Sequence, residues 1–351
     1  MNMHIHGMGG YGTNDGEVAS LQAMSLLLTR HGVTSWVPTI GSWDPKIGSG
    51  PLDVAEMALA AIRQAQESKI EGAEILGAHV EAPYRNVAER GAMPADWAQT
   101  PRPEEYSVLL EHADVIRAFT LSPELPGALE LIRELKKRNV LVSVGHSIAI
   151  DEELSRAVDA GLSHATHMFC NMGTLRRVNL RRVAGLVESV LLDDRVTAEI
   201  ITDGYHIAPS LMKLALKVKG PEKLAIITDG SSLTGMTPGY YSVRGRDIIL
   251  EEDIAYIADH SAYAGSVATM DHCVRVAIES MDLALADAFR MASLTPATIL
   301  GISDRKGSLE AGKDADVMIL DDDLRVVHTV ARGRVFDVKS DTPDVPTRVV
   351  E

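Results

Sequence analysis

Cysteine is scarce. Cys170 and Cys273 are the only two in 351 residues, so no disulfide framework organises the chain. Cations are outnumbered as well: 34 Lys and Arg face 49 Asp and Glu, and a formal net charge of −15 argues against a nucleic-acid surface, which depends on clustered Lys and Arg. No apolar run is long enough to span a bilayer. The opening MNMHIHGMGG lacks the charged and apolar segments of a leader and runs straight into strand-like sequence, which points to the cytoplasm. Low-complexity tracts are missing too. With 46% apolar residues, what remains is a globular chain of a size for one large barrel with an appendage, or for two domains.

Short apolar runs recur with helix-like segments between them. The strand-like runs are Met3–His6, Val33–Thr39, Ala73–Glu81, Val115–Leu121, Val140–His146, Leu162–His167, Val196–Asp203 and Leu224–Asp229. Eight strands alternating with helices predict an α/β fold of the (β/α)8 TIM-barrel type. A doubly wound sheet is the competing architecture, but HGMGGYG after the first run lacks the GxGxxG spacing such folds use. The barrel is expected over residues 1–303, with an inserted β-hairpin region near 231–266. Residues 304–351 are expected to form part of a small β appendage.

Polar residues close many of these runs. LVSVGHS and SHATH each deliver a histidine, His146 and His167, at a strand tip, which we read as metal ligands. His4 and His6 flank Ile5; a period of two sends both side chains to one face, within reach of one ion. Glu81 ends ILGAHVE, where a buried carboxylate needs a cation; an exposed loop position beside Pro83 is the alternative. Asp203 and Asp229 both precede Gly, and one of the two is expected to be a plain turn residue. Asp229, after the eighth strand, has the position of a proton-transferring base. His206, in DGYH, is read as a substrate contact or a helix-start residue, and His79 as a core or supporting histidine. Arg176, Arg177, Arg181 and Arg182 form the nearest approach to a basic cluster, either a solvated helix start or a site for a small phosphorylated substrate.

The order HxH, Glu, His, His, Asp along eight strands resembles the amidohydrolase superfamily, and within it the deacetylases of amino-sugar phosphates. The matching segments are HIHGMGGYG, ILGAHVEAPYRN, ERGA, VSVGHS, ATHMFCNM, TDGYH, AIITDG, AGS, LTPA and GSLEAGKDADVMIL. The resemblance implies one divalent ion on Glu81, His146 and His167, and a second on His4 and His6 with Glu81 bridging. Zinc is the first choice; iron, manganese and cobalt suit the same donors. It further implies attack by metal hydroxide on an acetamide carbonyl, Asp229 as general base and then acid, and His206, Cys170 and Asn171 as substrate contacts. The small-molecule substrate is then an N-acetylated amino-sugar phosphate, and the enzyme a homodimer.

The chain departs from that pattern in four places. Met93 stands where a histidine is usual, and Cys170-Asn171 replaces an asparagine-alanine pair. Arg176 and Arg177 are only the nearest candidates for the phosphate-binding arginine. The family also builds its small β domain partly from strands before the barrel, so unpaired strand edges are expected on this appendage. Two alternatives stay open: an amidohydrolase for another amide or cyclic amide, and a non-catalytic shortened homologue.

Overall fold

Apolar runs too short to be stable alone find partners on both sides. The structure, a computed structural model, describes residues 1–41, 50–81, 83–91, 93, 95–243, 245–260 and 262–338. Its strands β1 (Asn2–Ile5), β2 (Ser35–Ile40), β3 (Ala78–Val80), β4 (Ile116–Leu121), β5 (Leu141–Val144), β6 (His164–Ala165), β7 (Thr197–Ile201) and β8 (Leu224–Ile227) pair in that order, all parallel. β8 meets β1 at an isolated parallel bridge between Ile5 and Gly230. Across this seam the amides of His6 and Gly7 donate to the Gly230 carbonyl at 2.8 and 2.9 Å, and the Asp229 amide to that of His4 at 3.1 Å. The ring is thereby closed.

Helices α1 (Val18–Thr29), α2 (Pro51–Glu67), α3 (Pro103–Leu110), α4 (Ala128–Lys137), α5 (Asp151–Ala160), α6 (Leu186–Leu192), α7 (Pro209–Lys219) and α8 (Met270–Met281) follow the strands in turn. In α4, Leu131, Ile132 and Leu135 are buried, Glu130 sits in the first turn and Lys136 and Lys137 in the last. That placement matches the helix dipole and turns one apolar stripe to the sheet. Covered outside by helices, β2 and β8 are buried along their whole length. Among the described residues, no helix is long and apolar enough to cross a membrane.

Inside the ring the packing is partly polar. Thr166 shares hydrogen bonds with Ser143 at 2.6 Å and Thr120 at 2.7 Å, and Thr120 meets His79 Nε2 at 2.7 Å. His79 is therefore a core histidine. Burial, with the neighbouring His4 adding to it, pushes its pKa down to about 3, so the ring is neutral.

Several expectations change in detail. The run Ala73–Glu81 breaks into Glu74–Ile75 and β3, because Gly77 takes φ +128° where a Cβ would meet the Val115 carbonyl at 2.6 Å. The inserted region is a three-stranded antiparallel sheet, β9 (Gly239–Val243), β10 (Arg246–Leu250) and β11 (Ala255–Ile257), rather than a hairpin. It has its own core of Leu233, Ile248, Leu250, Ala255 and Val267. The arginine cluster is no helix start: Arg176–Val178 pairs with Arg181–Val183 around Asn179 and Leu180, at φ 45° and 69°. Positive φ at both central residues is what a tight primed hairpin turn requires.

After α9 (Leu285–Ala292) and α10 (Leu294–Ile299), β12 (Val317–Leu320), β13 (Val326–Ala331) and β14 (Arg334–Asp337) form a separate antiparallel sheet. Residues 339–351 of the expected appendage lie outside the described residues. Lys306, almost wholly buried, joins this part to the barrel through Glu74 at 2.8 Å, Asp314 at 2.8 Å and Asp316 at 2.7 Å. A cavity of about 260 Å³ opens between the two parts, lined by Met1, Met270, Phe289, Met318 and Leu324 among others. It is remote in character from the polar barrel mouth.

Candidate active site

Strand periodicity brings His4 and His6 to the mouth together. Their Nε2 atoms lie 3.3 Å apart, and each is 3.2 Å from Asp229 Oδ1 across the seam. Glu81, just past β3, is buried, so the exposed-loop alternative falls. Its Oε1 is 2.8 Å from His146 Nε2 and 3.0 Å from His167 Nε2, while its Oε2 is 3.3 Å from His6 Nε2. One carboxylate thus faces two groups of imidazoles, one with each oxygen. The five residues chosen from sequence converge with Asp229.

The donor atoms fit a cation. His146 Nδ1 donates to the Glu89 carbonyl at 2.7 Å, which leaves Nε2 bare and aimed at Glu81 and at His167 Nε2, 3.1 Å away. Lone pairs converging so closely repel unless something positive sits among them. Tetrahedral coordination with bonds of about 2.1 Å has donor-to-donor edges of about 3.4 Å, close to these spacings. Glu81, His146 and His167 form one compact group of this kind, and His4, His6 and Glu81 another.

The electrostatics are set by burial and by pairing. Burial alone would raise the Glu81 carboxyl, but Arg85 and the surrounding imidazoles hold it well below the usual carboxylate range. Arg85 donates to Glu81 Oε2 at 3.1 Å and to its carbonyl at 2.7 Å. Asp229 likewise stays ionised despite burial, held well down by His4 and His6. Burial, assisted by Arg85, lowers His146 to about 4, which keeps it a neutral donor. Three of these residues also strain the backbone: His146, His167 and Asp229 take φ 52°, 31° and 49°, a region that non-glycine residues avoid.

Asp203 is the turn residue of the two aspartates, and more. Its Oδ1 accepts the amides of Tyr205 and His206, each at 3.0 Å, and its Oδ2 holds His206 Nδ1 at 2.6 Å. His206 lies beside Tyr263, the ring centroids 5.2 Å apart and the planes tilted by 53°. Burial works against its protonation, but Asp203 outweighs it and raises the His206 pKa. A raised folded-state pKa contributes stability that is complete below the ordinary imidazole value and is lost as pH rises through the folded one. The gap in unfolding free energy between the parent and His206→Gln is therefore expected to be larger at pH 6 than at pH 9, as read by denaturant titration. Equal gaps would show that this pair carries no such linkage.

The remaining expected contacts sit on the segment after β6. Cys170 and Asn171 are partly buried, and burial pushes the Cys170 thiol up to about 12, with Asp229 and Asp203 adding to the shift. Asn171 packs its amide against Gly91. Arg176 is partly exposed and Arg177 exposed, on the two-stranded hairpin. Sequence reading missed Glu199, Arg85 and His164. Glu199 gave the same signal as Glu81, an acid inside an apolar run (TAEII), and Arg85 stands four residues beyond the carboxylate it pairs with.

An eight-stranded parallel barrel carrying His, Glu and Asp at its strand tips defines a class. Residues 1–344 match the amidohydrolase family, and the chain belongs to it. Among its relatives is the N-acetylglucosamine-6-phosphate deacetylase of Bacillus subtilis, 33% identical over 98% of this chain and 85% of the relative. An N-acetylgalactosamine-6-phosphate deacetylase of Escherichia coli O157:H7 is 32% identical, over 95% of this chain and 86% of its own length. A Mycobacterium smegmatis deacetylase mutant, solved in complex with N-acetyl-D-glucosamine-6-phosphate, superposes with a TM-score of 0.84 at 30% identity, covering 95% of this chain and 85% of that one.

Proposed function

We propose that this chain hydrolyses N-acetylglucosamine 6-phosphate to glucosamine 6-phosphate and acetate. The observation that carries the reading is the convergence of Glu81, His146, His167, His4, His6 and Asp229 at the mouth of a barrel whose relatives bear that activity in their names. Glu81, His146 and His167 would hold a divalent ion, zinc by preference for such donors, and His4 and His6 would hold a second with Glu81 between them. Such an ion supplies Lewis acidity to the amide carbonyl and lowers the pKa of a water.

The chain's own groups do the rest. Asp229, ionised and poised between His4 and His6, takes a proton from the attacking water and returns it to the departing amine nitrogen. His206, fixed by Asp203, offers a ring N–H to the substrate. Cys170 and Asn171 line the sugar side. The neutral His146 keeps its Nε2 lone pair on the Glu81 side, where His167 Nε2 also points.

Arg176 and Arg177 are the proposed phosphate contacts. Arg177 lies directly opposite Arg182 across the hairpin, an unfavourable pairing that an anion would relieve. Leu175 and Leu180 on the same hairpin are 51% and 81% exposed, which suits an arm packed on a second copy in a homodimer. We place the enzyme in the cytoplasm, in keeping with its phosphosugar substrate. Replacing both arginines by alanine is expected to raise KM for the phosphosugar about 10- to 100-fold with a smaller change in kcat. If neither constant moves, the phosphate is held elsewhere.

The deciding experiment is acetate release by metal-loaded protein from N-acetylglucosamine 6-phosphate, its galacto epimer and unphosphorylated N-acetylglucosamine. Preference for the first supports the proposal. Bound metal with no acetate from any of them sinks it.

A further inference from the structure

Glu199 is an expense that the reaction outlined above does not use. It lies on β7 with its side chain 1% exposed, inside the barrel. Its Oε2 is 2.9 Å from His4 Nδ1 and accepts the His167 amide at 3.2 Å. Its Oε1 has no hydrogen-bond partner among the described residues, and His164 Nε2, 3.5 Å away, has none either. A buried carboxylate with no guanidinium or ammonium among its described partners leans on the imidazoles of His4 and His164, and through His4 on any cation that His4 faces.

We propose that Glu199 is the positioning residue for the His4 side of the centre: by holding the Nδ1 proton of His4, it turns Nε2 towards His6 and Asp229 and sets the affinity for a second divalent ion. The inference rests on the reading of His4 and His6 as ligands.

Three features support it. With the proton on Nδ1, His4 Nε2 carries its lone pair at the point where His6 Nε2 and Asp229 Oδ1 converge, 3.3 and 3.2 Å away. Histidine ligands are commonly fixed this way, their far nitrogen donating to a carboxylate or carbonyl. Here the two halves of the centre differ: His146 leans on the neutral carbonyl of Glu89, whereas His4 leans on a full negative charge. Charge balance points the same way. Glu81, Asp229 and Glu199 are three carboxylates against the one guanidinium of Arg85, so Glu199 adds to the negative charge that a cation on the His4 side would meet. Finally, Glu199 also receives the His167 amide, so one carboxylate ties a residue of each half together.

The test is metal binding by the whole chain, stripped with a chelator and reloaded with zinc at buffered free concentrations. Elemental analysis then gives ions per chain. The parent is expected to take two; Glu199→Gln, which keeps the shape and loses the charge, is expected to keep one and bind the second about 10- to 100-fold more weakly. A second ion bound by Glu199→Gln with the parent's affinity overturns the inference and leaves the ligand reading intact. A parent that takes only one ion overturns the ligand reading of His4 and His6 itself, and the inference with it. A second measurement needs no variant at position 199: in zinc-loaded parent with ¹⁵N-labelled histidine, the resonance lost in His4→Asn should be an Nδ1–H. A proton on Nε2 instead overturns the proposal even if Glu199→Gln fails to fold.

Discussion

Asp229→Asn is expected to lower kcat/KM for N-acetylglucosamine 6-phosphate by about 10²- to 10⁴-fold, the usual worth of a positioned proton-transfer group. Asparagine keeps the shape and an oxygen beside His4 and His6, but it cannot take up a proton and give it back. Because the Asp229 carboxyl is held well below its ordinary range by His4 and His6, it starts ionised, which is the form a base requires. Acetate release and metal content measured on one sample would settle the matter. A variant with its metal intact and activity within threefold of the parent would remove Asp229 from the reaction.

Glu81→Gln carries the second large effect, on binding and on stability at once. Both imidazole groups face this carboxylate, so its charge is expected to be needed for tight binding of any ion, and elemental analysis of the variant should find little metal. The variant also leaves the buried Arg85 guanidinium facing a neutral amide. Breaking a buried pair in this way costs about 3–5 kcal/mol. The pH dependence has a definite sign. Since the folded-state pKa is depressed, the stabilisation is present above the ordinary value of 4.5 and is lost as pH falls below it, so the two proteins should converge in acid. A variant as stable as the parent at pH 7 would show that Arg85 has found another partner.

The barrel was legible because its strands are buried on both faces, and continuous apolar runs such as LAII and SWVPTI carry that burial openly. The residues that converge at the barrel mouth were legible because a charged or imidazole side chain at the end of such a run has few inexpensive explanations. Other features leave less trace. The turn at Asn179-Leu180 lacks glycine, so nothing in NL distinguishes a primed turn from a helix start. Backbone strain at His146, His167 and Asp229 depends on what surrounds each loop, not on residue type. Glu199 was visible in principle: TAEII breaks an apolar strand with an acid, as AHVE does, but the acid lies in mid-strand, where its partner comes from the other end of the chain.

That partner lies in β1, and the seam between β1 and β8 has a kinetic side. The hydrogen bond from Asn2 to Thr228 spans 226 positions, so β1 waits for β8, the last strand of the ring, before its far edge is satisfied. His4 and His6 ride on one lip of that seam and Asp229 on the other. The binding centre and the closed ring are therefore completed in the same event, and a chain halted before β8 has neither. Filling the centre would in turn act as a chelate clip across one of the longest loops in the molecule, where closure costs the most entropy. Metal-loaded protein should thus open its ring last and most slowly, and hydrogen exchange at the His6 and Gly7 amides would report that directly.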